Sequence, residues 1–301
     1  AKGLKHICRS GFAGRANPED YPLSNRADEA DPLLVFDNVL IPWEDVLFYQ
    51  HTKAATFIRG TLHRYSALAF VERILHMADL MIGTALHNVR QTGLEHQQAV
   101  REKLSTLICY REGINAHLTA AIANSEKSPG DLLMPNQSFL YTGRVHACSQ
   151  LHNMSHLARE LCGGQICVTP DNSDFQNKDT QPWLEKFYSI NDKWSSDDRR
   201  RLLAFGRDLL NSSYAGHKLT FQLFAQSAPF AQLGAVYRNF DWDGPLEFAH
   251  KAANLSENVY GGVDSLGVEQ REIQYVPIFA ADFGVIDELS AKVGILSLIH
   301  I

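Results

Sequence analysis

The chain has 301 residues, 45% hydrophobic and 21% charged, an ordinary globular composition with material for a sizeable core. A formal charge of −6 and a longest basic run of Arg199-Arg200-Arg201 give nucleic-acid binding no electrostatic footprint. No apolar stretch reaches membrane-spanning length and no signal peptide is visible. Five scattered cysteines (Cys8, Cys109, Cys148, Cys162, Cys167) read as reduced, buried or incidental thiols of a soluble cytoplasmic protein, not as a disulfide frame.

The sequence opens without an initiator Met in "GLKHICRS", which alternates like a strand already under way. Residues 4 to 9 and 33 to 40 read as strands, the second rich in Val, Leu and Ile and punctuated by Pro32 and Pro42. Between them "SGFAGRANPEDYPLSNRADEADP" reads as a long polar loop. From about residue 54 the period becomes helical. Phe70, Ile74, Met77, Met81 and Ala85 share one face of a long amphipathic helix that Gly93 ends.

A second helix is expected over 94 to 124 and a third over 136 to 161, stopped in Schellman fashion at Gly163-Gly164. Residues 165 to 194, with Pro170 and Pro182, read as irregular. Ser195, Ser196 and Asp197 then cap a fourth long helix reaching about residue 225. Shorter helices are expected over 229 to 238 and 245 to 257. Four long helices with short connectors predict an up-and-down bundle. The last six residues, Leu296 to Ile301, back-translate to a string resembling a transposon adapter. The expectation is an open-ended gene fragment with a non-native tail.

Four local constellations carry candidate chemistry. Cys148, His152 and His156 stack along one helix face with residue types that suit zinc or copper. Asn153, however, stands where a metalloprotease HExxH motif has its glutamate, and packing explains the spacing, so no metal is expected. Gly163-Gly164-Gln165 is either a plain helix stop or a place where backbone approaches a ligand. Asp241 and Asp243 in "DWDG" suggest an acid–base pair but read better as a solvated helix entry. His63-Arg64 and His217-Lys218 either meet an anionic cofactor or line a solvated face.

At these residues a family resemblance enters. "EDYPLSNRADEADPLLVFDNVLIPWEDVLFY" resembles the oxygenase component of 4-hydroxyphenylacetate 3-hydroxylase and its relatives, the two-component flavin monooxygenases. "GLKHICRS", "LARELCGGQICVTP" and "GHKLTFQLFAQSAPF" resemble further family segments, so the likeness runs to about residue 255. It implies a mainly α chain of the acyl-CoA dehydrogenase-like fold: the last strands of a middle β-barrel domain (1–50), then a C-terminal four-helix bundle (51–295). It further implies ortho-hydroxylation of a phenol, with O2 and reduced FAD supplied by a flavin reductase partner.

On the same resemblance, Gln226, Ser227, Ala228 and Pro229 match an FAD-contacting segment, without the Gly-Asp-Pro that some members carry. Gly163, Gly164 and Gln165 match a turn that acyl-CoA dehydrogenases bring to a neighbouring subunit's FAD. A homotetramer or dimer follows. Catalytic residues are expected upstream of this sequence, leaving the chain inactive alone. Two alternatives accompany this reading. One is a 4-hydroxybutyryl-CoA dehydratase-like FAD and iron–sulfur enzyme, whose His and Cys ligands would fall on His63 and on Phe70, which cannot ligate iron. The other is a non-catalytic helical scaffold.

Overall fold

Strands β1 (Leu4–Cys8) and β2 (Pro32–Phe36) pair antiparallel, Leu4 opposite Phe36 and Cys8 opposite Pro32. These belong to a computed structural model that describes residues 2–256 apart from Pro129 and Gln226, and leaves aside the side chains of Ala55, Thr56 and Arg59. The adapter-like tail Leu296–Ile301 and the last position of the expected helix 245–257 lie outside the described residues. β2 is shorter than expected because Asn38 takes a left-handed φ of 54°, a conformation that asparagine tolerates and that ends the ladder. Both faces of the ribbon are bare, with the adjacent, oppositely facing Leu33 58% and Leu34 44% exposed.

The expected loop between the strands contains a short helix, α1 (Pro22–Arg26), with Pro22 at its first turn, where a fixed φ and a missing N–H cost nothing. Then comes α2 (Thr52–Gln91), 40 residues long and hence about 60 Å at 1.5 Å per residue. Gly93, at φ 71°, stops it as expected from a left-handed glycine beyond the last turn. Next are α3 (Gln98–Ala123), a small hairpin of β3 (Glu126–Lys127) and β4 (Leu133–Met134), and α4 (Gln137–Cys162). These three long helices pack together with α4 central. Phe70, Ile74 and Met81 of α2 meet Leu107 and Ile114 of α3 and Leu140, Leu151 and Met154 of α4 in one buried cluster.

Residues 165–194 are more ordered than their prolines suggest. They hold α5 (Gln165–Val168), α6 (Asn172–Gln176) and α7 (Gln181–Phe187), and reciprocal Asp171–Asp174 capping starts α6. The expected fourth long helix is two: α8 (Ser196–Leu210) and α9 (Ser213–Phe224). Ser212 causes the break. Its Oγ accepts from the Ala215 amide at 3.0 Å and donates to the Asp208 carbonyl at 2.8 Å, giving the backbone an N-cap in place of helix continuation. α8 and α9 fill the bundle's fourth position, α10 (Pro229–Asn239) packs on α4, and α11 (Asp243–Ala252) follows. Among the described residues no helix is long and apolar enough to cross a membrane.

Candidate functional site

The end of α4 is built to present bare backbone. Gly163 sits at φ 69°, ψ −179°, a region open essentially to glycine alone. That is not the left-handed geometry of the expected Schellman stop; the chain turns sharply into α5 instead. Asn88 of α2 braces the turn from behind, donating to the Leu161 carbonyl at 2.8 Å and to Cys162 at 3.1 Å, two of the carbonyls a helix end leaves unpaired. Gly163, Gly164 and Gln165 are all exposed, and a Cβ on either glycine would meet nothing within 4 Å. Gly164 has an ordinary helical φ of −63°. Neither conformation nor crowding asks for glycine there, and its open backbone leaves room for an external group to come close.

Of the second predicted segment, Gln226 lies outside the described residues. Ser227 holds φ 141°, strained for a residue with a Cβ. Ala228 precedes α10 and Pro229 is its first residue. Gln232, 2% exposed, locks the turn by donating to the carbonyls of Leu223 at 3.1 Å and Ser227 at 2.9 Å. The Gln232 side chain also reaches Cys148, so this turn sits beside the middle of α4. Gly163 is about 22 Å further along that helix. One chain does not bring the two predicted cofactor turns together.

Arg64, His217 and Lys218 all have partners within the chain. Arg64 is buried against Glu126 and donates to Gln137 Oε1 at 2.6 Å. His217 Nε2 lies 3.3 Å from the Asp31 carboxylate, and Lys218 Nζ lies 2.9 Å from Glu29. Together they clamp the β1–β2 connection onto α9. Arg9 adds bonds to Asp31 at 2.7 Å and Asp28 at 2.8 Å. Burial alone would raise the Asp28 carboxyl, but Arg9 and the Phe12 and Ala13 amides outweigh it and hold the group down at about 2. Deeper in, Asp208 of α8, fully buried, accepts from the Ser24 amide at 2.8 Å and the Ser24 hydroxyl at 2.5 Å. Asp20 accepts from Arg200 at 3.2 Å and from the Asn172 amide at 2.9 Å.

The stacked Cys148, His152 and His156 do not converge. Cys148 is buried, its thiol pushed up to about 11 by burial, whereas both histidines are exposed and His156 lies 3.4 Å from Glu160. Among the described residues no group of three or more His, Cys, Asp or Glu side chains is placed to hold a metal. Asp241 and Asp243 are exposed at the entry to α11, where the Asp243 amide donates to Asp241 at 3.2 Å. Phe70 lies fully inside the core.

Sequence patterns alone do not reveal Arg144. It is 0% exposed, with Nη1 3.4 Å from His63 Nε2 and its guanidinium 4.8 Å above the Tyr141 ring. His63 Nδ1 in turn lies 3.1 Å from Tyr141 Oη. The available signal is an arginine on the apolar face of α4, three residues after Tyr141.

This arrangement of helices recurs in solved structures. An oxygenase component of 4-hydroxyphenylacetate 3-monooxygenase, complexed with FAD and 4-hydroxyphenylacetate, superposes with a TM-score of 0.76 at 23% identity, over 83% of this chain and 52% of that one. An archaeal 4-hydroxybutyryl-CoA dehydratase from N. maritimus gives 0.75 at 19% identity, over 85% and 52%. The fold is therefore the acyl-CoA dehydrogenase-like one, mainly helical.

The sequence narrows this further. Residues 52–254 match the family profile "4-hydroxyphenylacetate 3-hydroxylase C terminal", and residues 1–48 match its N-terminal counterpart. The chain belongs to the 4-hydroxyphenylacetate 3-hydroxylase family. The oxygenase component of a 4-nitrophenol 4-monooxygenase/4-nitrocatechol 2-monooxygenase from Rhodococcus opacus is 32% identical over 61% of this chain and 35% of its own length. That of 4-hydroxyphenylacetate 3-monooxygenase from Thermus thermophilus is 23% identical over 79% and 50%. The chain thus spans about half the length of the curated relatives it matches, or less.

Proposed function

We propose that this chain belongs to the oxygenase component of a two-component flavin monooxygenase that hydroxylates a phenol ortho to its hydroxyl. The observation that carries the reading is the match of both family profiles, reinforced by relatives named as oxygenase components acting on phenols. On this reading residues 1–50 close a β-barrel domain, and the bundle that begins at residue 51, of which positions 257–295 lie outside the described residues, joins subunits into a tetramer or dimer. A separate flavin reductase is the partner, and reduced FAD supplies the oxygen-activating chemistry when bound.

The residues present fit such a cofactor. Gly163 and Gly164 offer exposed backbone with open space where a Cβ would stand, room for a flat group to lie against amides. Ser227, Ala228 and Pro229 form a second rigid turn, held by Gln232. The two turns sit at different heights on α4, and on the likeness to acyl-CoA dehydrogenases the Gly163-Gly164 turn would face the FAD of a neighbouring subunit. The chain's work is to position FAD, exclude water and join subunits. The dehydratase reading gains no support beyond fold, since Phe70 offers no ligand atom. The test gives the full-length protein reduced FAD, oxygen and a panel of phenols. Catechol formation is expected; no catechol from any phenol overturns the proposal.

A further inference from the structure

Arg144 and Arg200 are the largest fully buried side chains described, and they are treated oppositely. Arg200 is ringed by carboxylates, Asp20 at 3.2 Å and Asp197 at 2.9 Å. Arg144 has no carboxylate partner among the described residues; its Nε and Nη2 are buried and unbonded, and its one polar contact is Nη1 to His63 Nε2. A buried guanidinium without a counter-charge costs stability, so holding the fold does not account for its place here.

The donor and acceptor inventory of these groups favours one set of hydrogen-bond roles. A guanidinium only donates, so His63 Nε2 must accept and carries no proton. A neutral imidazole has one N–H, which therefore sits on Nδ1 and faces Tyr141 Oη at 3.1 Å. Tyr141 Oη then accepts from His63, so its own proton is not directed at His63. An imidazolium would set Nε2–H against the guanidinium and place two cations side by side at a desolvated seam. Among the described residues, the titratable and charged groups facing this pair are Tyr141 and Cys148 on α4 and Arg64 beside His63 on α2, paired with Glu126.

We propose that Arg144 is a positioning residue that locks His63 as the neutral Nδ1–H tautomer and so commits the Tyr141 hydroxyl to donate away from His63. The tautomer rests on the geometry of Arg144, His63 and Tyr141 alone.

The test is long-range 1H–15N NMR on the 15N-histidine-labelled chain, with His63 assigned by its loss in His63→Asn. The wild type should show a protonated Nδ1 and an unprotonated Nε2. Arg144→Met removes a buried cation for an apolar side chain of similar length, so the fold should hold. The Nδ1–H to Nε2–H ratio at His63 should then fall at least tenfold. Arg144→Lys, which still donates, should keep the wild-type tautomer. A wild-type His63 protonated at Nε2, or a ratio unchanged in Arg144→Met, overturns the proposal. Were Arg144→Met not to fold, the wild type and Arg144→Lys would decide. Absence of catechol in the activity assay would sink the proposed function while leaving this tautomer result standing.

Discussion

Ser24 lies inside the Pro-Leu-Ser-x-Arg stretch that carries the family resemblance, and the structure gives it a measurable duty. Its hydroxyl and amide both donate to Asp208, 184 residues away and fully buried. Ser24→Ala removes one donor from a desolvated carboxylate and leaves the 2.8 Å amide bond in place. A hydrogen bond to a charged group contributes about 1.5–3 kcal/mol, so a loss of about 2 kcal/mol is expected. Asp208→Ala strands both donors and should cost more, about 3 kcal/mol. The double variant should be less destabilised than the sum, with a coupling of about 1.5–2 kcal/mol. Urea denaturation of the four proteins, followed by far-UV circular dichroism, measures the cycle. A Ser24→Ala variant within about 0.5 kcal/mol of wild type, or an additive cycle, would refute the claim that this pair pins α1 to the bundle.

The two glycines after α4 should separate structure from function. Gly163→Ala should cost about 1–3 kcal/mol in thermal denaturation through its backbone conformation, while Gly164→Ala should leave stability unchanged and weaken FAD binding in a flavin titration. Ser227→Gly relieves a strained φ of 141° and should raise stability by about 1 kcal/mol after glycine's own entropy cost, read as a higher Tm. Asp28 is held at about 2 in the fold against an ordinary value of 3.8. A depressed carboxyl contributes stability that is complete above the unfolded value and is lost as pH falls through the folded one. Amide exchange at Phe12 and Ala13 should therefore stay protected on acidification until pH nears about 2. Loss of protection already at pH 4, or the same profile in Asp28→Asn, would contradict this account.

Elements written in local periodicity are legible in the residues themselves. The apolar stripe from Phe70 to Ala85 specifies α2, Gly93 its end, and Gly163 the end of α4. What is illegible depends on contacts or on competition. The break at Ser212 turns on a hydroxyl that caps one helix while bonding to the helix before it, within a stretch whose helical period never falters. Prolines 170 and 182 suggest irregularity, yet proline at a first turn suits a short helix, as at α7. His217 and Lys218 read as cofactor cations or a solvated face because their partners, Asp31 and Glu29, lie nearly two hundred residues upstream. Arg144 escapes notice because pattern reading looks for charge on polar faces, and this one is on the apolar face. The cofactor turns themselves are located by resemblance, not by physics. Geometry adds that Gly163 needs its glycine for shape and Gly164 does not.

The distance between those turns along α4 has a genetic consequence. If each touches a different FAD, an oligomer mixing a Gly164-damaged subunit with a Ser227-damaged one contains some sites carrying both lesions and others carrying none. Two inactive alleles expressed together would then restore partial activity, though neither does so alone. Such complementation would fail if both turns served the same cofactor.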